Sequence, residues 1–101
     1  MKRNTRIIGF ALLLFFILGT AVVFAISENE AYTRGYRDGY SNARNYSQDW
    51  QKTIQKNMAW LNYFSSFSRE DQLNSTNLRY QFDNGFEEGW ADQKAGYRPA
   101  R

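Results

Sequence analysis

The chain has 101 residues, a net charge of +3, no cysteine and no histidine, so it can hold one small domain beside any targeting segment. Without cysteine there are no disulfides and no thiolate metal site, and without histidine the commonest metal ligand and general base are missing; no catalytic, cofactor-binding or metal-ligating residue stands out. Lys2, Arg3 and Arg6 carry the whole net charge, so the chain from Ser27 onward is neutral and lacks the basic patch that a nucleic-acid binder needs.

Behind this basic head, Ile7 to Ile26 is apolar apart from Gly9, Gly19 and Thr20, and no charge interrupts it. Such a length of helix spans about 30 Å, the thickness of a hydrocarbon core. Residues 1–26 are therefore expected to form a basic head and a single-pass transmembrane signal-anchor. The competing expectation is a signal peptide cut after Ala25, since Val23 and Ala25 supply the small residues such a cut requires; the length of the apolar run favours a retained anchor. Lys2, Arg3 and Arg6 on one side, against Glu28 and Glu30 on the other, put the N-terminus in the cytoplasm and residues 27–101 outside it, periplasmic or extracellular.

Ser27 with Glu30 forms a capping box, and a helix is expected over about 28–64. Tyr36, Tyr40, Ala43, Ser47, Trp50, Ile54, Asn57 and Leu61 step along it by fours and threes as one packing seam. Asn62 to Ser68 reads as a break, and Ser68 with Asp71 caps a second helix over about 69–95, with poor helix material at Asn74 to Asn77. Gly96 and Pro99 end that helix, leaving Tyr97 to Arg101 as a frayed tail.

Each helix carries one pattern, in which an aromatic and a glycine both recur every four residues. The first copy is Tyr32, Gly35, Tyr36, Gly39, Tyr40; the second is Phe82, Gly85, Phe86, Gly89, Trp90, displaced position for position by 50 residues. Residues four apart share a helix face, so each copy presents a glycine groove beside an aromatic ridge. Four helical glycines cost roughly 4 kcal/mol relative to alanine, and close approach of a second backbone is what offsets such a cost. Asp38-Gly39 and Asn84-Gly85 also read as hairpin turns, but they use different glycines of the repeat and their flanks lack strict alternation.

The repeat resembles a segment of the flagellar and type III export stator proteins and the glycine repeat of a eukaryotic iron–sulfur adaptor family. That resemblance covers one repeat length per copy and implies shared helix-packing chemistry; it carries no functional residue with it.

The fold expected is thus all-α: an N-terminal transmembrane helix followed by a small extracytoplasmic helical hairpin with paired Gly-xxx-Gly/aromatic repeats. Asp83, Glu87, Glu88 and Asp92 in the second repeat, opposite Arg34, Arg37 and Arg44 in the first, suggest that the two helices pair. A chain long enough to fold back would pair them as an antiparallel hairpin, and the same pairing between two chains would make a dimer. Tyr32, Gly35, Tyr36, Gly39, Tyr40, Trp50, Phe82, Gly85, Phe86, Gly89 and Trp90 are the expected helix-packing and interaction residues. The expected function is a non-enzymatic, membrane-anchored interaction or assembly protein, with the membrane and a protein partner or a second copy as its contacts. The alternative is a secreted or envelope-attached module whose exposed Tyr36, Tyr40, Trp50 and Trp90 bind a cell-envelope glycan or the lipid interface. For two-carboxylate catalysis only Asp38 and Glu88, at equivalent repeat positions, offer themselves, and a small helical hairpin has little room for a cleft.

Overall fold

A computed structural model describes residues 25–100, all of whose regular structure is helical. The basic head and nearly all of the expected membrane span lie outside the described residues. Among the described residues no helix is long and apolar enough to cross a membrane.

Four helices follow one another: α1, Glu28–Asn45; α2, Asp49–Phe64; α3, Arg69–Leu73; and α4, Ser75–Lys94. The expected single helix over 28–64 is therefore two. The Ser27 cap forms as read, its side chain accepting from the Glu30 amide at 3.0 Å. Helix α1 then ends at Tyr46, which is extended at φ −130 and ψ 132. Gln51 restarts the chain by reaching back, its Oε1 accepting from the Ser47 amide at 3.2 Å and the Gln48 amide at 3.0 Å. This side chain satisfies donors that a continuous helix would have paired internally. The second expected helix is also divided, at Asn74, where ψ of 15 leaves the helical region. Ser68 caps α3 through the Asp71 amide at 3.2 Å.

The reversals at 46–48 and 65–68 make α2 antiparallel to both neighbours and leave α1 and α4 parallel. This corrects the antiparallel hairpin expected from a chain that folds back on itself. The core lies where the three long helices meet: Tyr36, Leu78, Phe82 and Phe86 are fully buried. Trp60, Tyr63 and Phe67 close it from the α2 side. Trp60 meets Phe82 edge-on with centroids 5.5 Å apart, and Tyr63 stacks on Phe82 at 5.7 Å. Such aromatic pairs add roughly 0.5–1.5 kcal/mol each beyond simple burial.

The break at Tyr46 also cuts the expected packing seam in two. Its first part, with Tyr36 and Ala43, enters the core, while Trp50, Ile54 and Leu61 on α2 face outward. The inward face of α2 is instead Lys52, Lys56, Ala59, Trp60 and Tyr63, one stripe at helical spacing.

Candidate interaction site: a closed glycine contact and an open face on α2

The two repeats meet each other inside one chain. A Cβ built on Gly35 would lie 2.8 Å from the carbonyl carbon of Phe82, and one on Gly39 2.8 Å from that of Phe86, with the oxygens nearer still. Reciprocally, a Cβ on Gly85 or Gly89 would lie 2.9 Å from the carbonyl carbon of Tyr32 or Tyr36. Each glycine thus points its hydrogen at the carbonyl of the aromatic three residues before the partner glycine. The contact has a local two-fold relation that maps one repeat onto the other. Weak Cα–H···O contacts of this kind are worth perhaps ~0.5–1 kcal/mol each. With the dispersion gained where two backbones touch, they offset the helical cost of the four glycines. Ala31 and Ala43, both buried, extend the glycine stripe of α1 by one turn each way. The four-residue spacing from Ala31 to Ala43 was present in the sequence but hidden by the attention the glycines draw.

Of the expected packing residues, Gly35, Tyr36, Gly39, Phe82, Gly85, Phe86, Gly89 and Trp90 are buried in or beside this contact, and Tyr32 and Tyr40 are half-buried. Trp50 is not part of it: it stands on the outer side of α2, 64% exposed.

Polar groups clamp the ends of the helix pair, and most were not foreseen. Lys94 donates from Nζ to the carbonyls of Ala43 and Tyr46, each at 2.7 Å, filling orphan acceptors at the negative end of α1. The buried Tyr36 hydroxyl donates to Asp92 and accepts from the Ala100 amide at 2.9 Å. Tyr40 donates to the carbonyl of Tyr97 at 2.7 Å. The tail expected to fray is therefore docked along α1 as far as Ala100. Burial, then the bond to Asp92, pushes the Tyr36 phenol above its usual range. At the opposite end Asp71, 4% exposed, accepts from the Ile26 amide at 2.8 Å and from the Ser68 hydroxyl at 3.0 Å. That bond fixes the point at which the apolar segment joins the helical domain.

The charge pairing expected between α1 and α4 does not occur in that form. Arg34 pairs with Asp38 within α1 at 3.2 Å, and Arg79 with Asp83 within α4 at 2.9 Å. Glu87 instead takes both lysines of α2, Lys52 at 2.9 Å and Lys56 at 2.8 Å. Partial burial alone would raise the Glu87 carboxyl, but hydrogen bonds from Lys52 and Lys56 outweigh it and hold the group below its ordinary value. Arg79 also donates to Asn57 Oδ1 at 2.6 Å. With these ties, the cations of α2 are turned inward.

What remains outward on α2 is apolar. Trp50, Ile54, Met58 and Leu61 are 64%, 45%, 58% and 63% exposed, and they recur along one side of the helix. Thr53, Asn57 and Asn62 share this exposed side. From Trp50 to Ser68 the only charged residues are Lys52 and Lys56, so this stretch puts no charge of its own on the face; Arg79 of α4, paired with Asp83, reaches its edge at Asn57.

Among the described residues no cluster of three His, Cys, Asp or Glu side chains could hold a metal ion. The Asp38 carboxyl is engaged by Arg34, while Glu88 is exposed. Compared with protein-family models, curated proteins and solved structures, the chain matches none.

Two outcomes follow from this geometry. In an isolated helix, Gly35→Ala or Gly85→Ala would gain about 1 kcal/mol; here the added methyl meets backbone that cannot rotate away, and overpacking costs about 1–3 kcal/mol. Thermal melts followed by circular dichroism should show both variants melting below the parent by at least about 4 °C. Equal or higher melting temperatures in both would refute the backbone contact.

For Glu87→Gln, loss of the charge pairs should cost on the order of 0.5–1 kcal/mol at neutral pH, since the carboxylate is partly exposed and screened. The carboxyl sits lower in the folded than in the unfolded state. Its contribution is therefore present above the ordinary glutamate value of 4.5 and is lost as pH falls through the lower folded value. Urea midpoints of parent and variant should converge on acidification; a gap that stays constant would assign the tie no electrostatic role.

Proposed function

We propose that the chain is a non-enzymatic interaction or assembly protein, held by a single apolar span and presenting its helical domain outside the cytoplasm. The observation that carries this reading is the apolar face of α2, with Trp50, Ile54, Met58 and Leu61 exposed on a domain whose own core is closed. Large apolar side chains exposed singly need no explanation, but a contiguous set on one helix marks a contact surface. The basic head, the uninterrupted run from Ile7 to Ile26 and the acidic residues after it support the anchored orientation.

This reading moves the contact surface. The glycine grooves are filled by each other, so the partner meets the outer side of α2 rather than Gly35, Gly39, Gly85 or Gly89. The alternative of an aromatic ligand shelf has less support. Of the four aromatics it needs exposed, Tyr36 and Trp90 are buried and Tyr40 is half-buried. Two-carboxylate chemistry likewise finds Asp38 already committed to Arg34.

Membrane and soluble fractions of the native host test the reading together with site-specific photo-cross-linking. The expected result is a full-length mass in the membrane fraction, digestion of residues beyond Ser27 by protease added from outside, and protein adducts from a photo-reactive residue at Met58 but not at Arg37. A soluble chain whose mass begins near Ile26, or equal adducts from both positions, would overturn it.

A further inference from the structure

We propose that the outer face of α2 pairs with the same face of a second copy, the two helices lying side by side and parallel. The proposal rests on the anchored reading and names its partner. Trp50, Ile54, Asn57 and Leu61 step by four, three and four, the spacing of a short coiled-coil seam. Within the chain its apolar members Trp50, Ile54 and Leu61 stay exposed, because the break at Tyr46 to Gln48 turns them away from the core.

The polar residue at its centre selects the occupant. Asn57 uses its Oδ1 for Arg79, which leaves its amide donors at the middle of an apolar stripe. Covering that stripe with a wholly apolar partner would bury those donors unpaired, at a cost that disfavours the complex. A parallel second copy brings another Asn57 to the same level, where an amide N–H of one donates to the second lone pair of the other's Oδ1. A single asparagine in such a seam fixes both register and pair formation.

Self-pairing also needs a face with little net charge, and the one charged group that reaches the seam's edge, Arg79, is balanced by Asp83. Two identical faces meet under a two-fold axis, so any charge on the face would be set near its own kind. The inward turn of Lys52 and Lys56 onto Glu87 removes the two cations that would otherwise flank the seam. The same fact argues against a lipid surface as the occupant, since helices that lie in a membrane interface carry lysine and arginine along the polar flank. Anchoring decides the direction. Two chains rooted in one membrane through residues 7–26 leave it with the same orientation, and α2 then runs the same way in both. The seam from Trp50 to Leu61 is only about 16 Å long. It buries less than the ~800 Å² per partner of a standard interface. Confinement of both copies to one membrane, with effective concentrations reaching about the millimolar range, makes up the difference.

The chain has no cysteine, so single cysteines map the contact without background. Full-length Ile54→Cys, Leu61→Cys and Trp50→Cys would be expressed separately in native membranes and oxidised, with Arg37→Cys and Glu88→Cys as exposed controls. The pairing requires disulfide-linked dimers at all three seam positions and at least about tenfold less at the controls. Adding Leu61→Glu to the Ile54→Cys chain should lower its dimer about tenfold or more, a shift of one decade in affinity, while the circular dichroism spectrum stays unchanged. Trp50→Cys and Leu61→Cys chains would also be expressed together, and dimers that form only between these two different positions would overturn the parallel arrangement. No dimers, equal dimers at the controls, or dimers insensitive to Leu61→Glu would overturn the pairing. The fraction in which the chain is recovered separately tests the anchor, so failure of one reading is not mistaken for failure of the other.

Discussion

The constraint on which the rest depends is the approach of two helix backbones at four glycines. Because each glycine faces a carbonyl rather than a side chain, there is no flexible group to absorb an added atom. The contact fixes the distance, the direction and the register of α1 against α4 together. Parallel helices cannot be joined by a short turn. The connection must travel back the length of α1, about 27 Å for its 18 residues, before α4 can start. Helix α2, with 16 residues, rises about 24 Å and supplies that return. Its length is thus a consequence of the glycine contact.

A return helix of this kind has two different faces. Its inner side must cover the aromatic ridge of α4, which Trp60 and Tyr63 do against Phe82, and it must be held there. Lys52 and Lys56 hold it, through Glu87 on α4. Glu87 belongs to the second repeat and sits at the position of Arg37 in the first. The local two-fold of the glycine contact is broken at this point: one copy offers an anion to the return helix, whereas the other leaves an exposed cation to solvent. The acidic character of the second repeat is therefore spent on α2 and on the Tyr36 hydroxyl, not on the arginines of α1.

The repeat and the helices that carry it were legible in the sequence because glycine and aromatic spacing are local signals. The direction of pairing was not legible, because two copies of one glycine face can meet either way round, and only the contacts themselves decide. Two copies of one pattern that meet by the same face, each glycine against the turn before its equivalent, run parallel; an antiparallel pair would set Gly35 near Gly89 instead of near Gly85. The break at Tyr46 was not legible, since no glycine or proline marks it and Gln51 makes the restart through its side chain. Lys94, Asp71 and Asp92 were likewise invisible as tethers. Each binds a group more than forty residues away, and no periodicity records such a partner.

The seam read along residues 36–61 was real as a pattern and wrong as a single core, and the physical reason bears on function. A stripe of apolar residues only states that something covers it. Up to Ala43 the cover is α4, placed there by the glycines. Beyond the break the same stripe continues on a helix that has turned around, so its next members emerge on the far side of the domain. Nothing within residues 25–100 returns to cover them. Closing the glycine contact internally thus fills the glycine grooves, and the break that follows turns the apolar side chains of Trp50, Ile54 and Leu61 outward. On the proposed reading, stability and recognition lie on separate residues. Changes at Gly35 or Gly85 act on the fold itself, whereas changes at Ile54 or Leu61 act on a surface that the folded domain does not need.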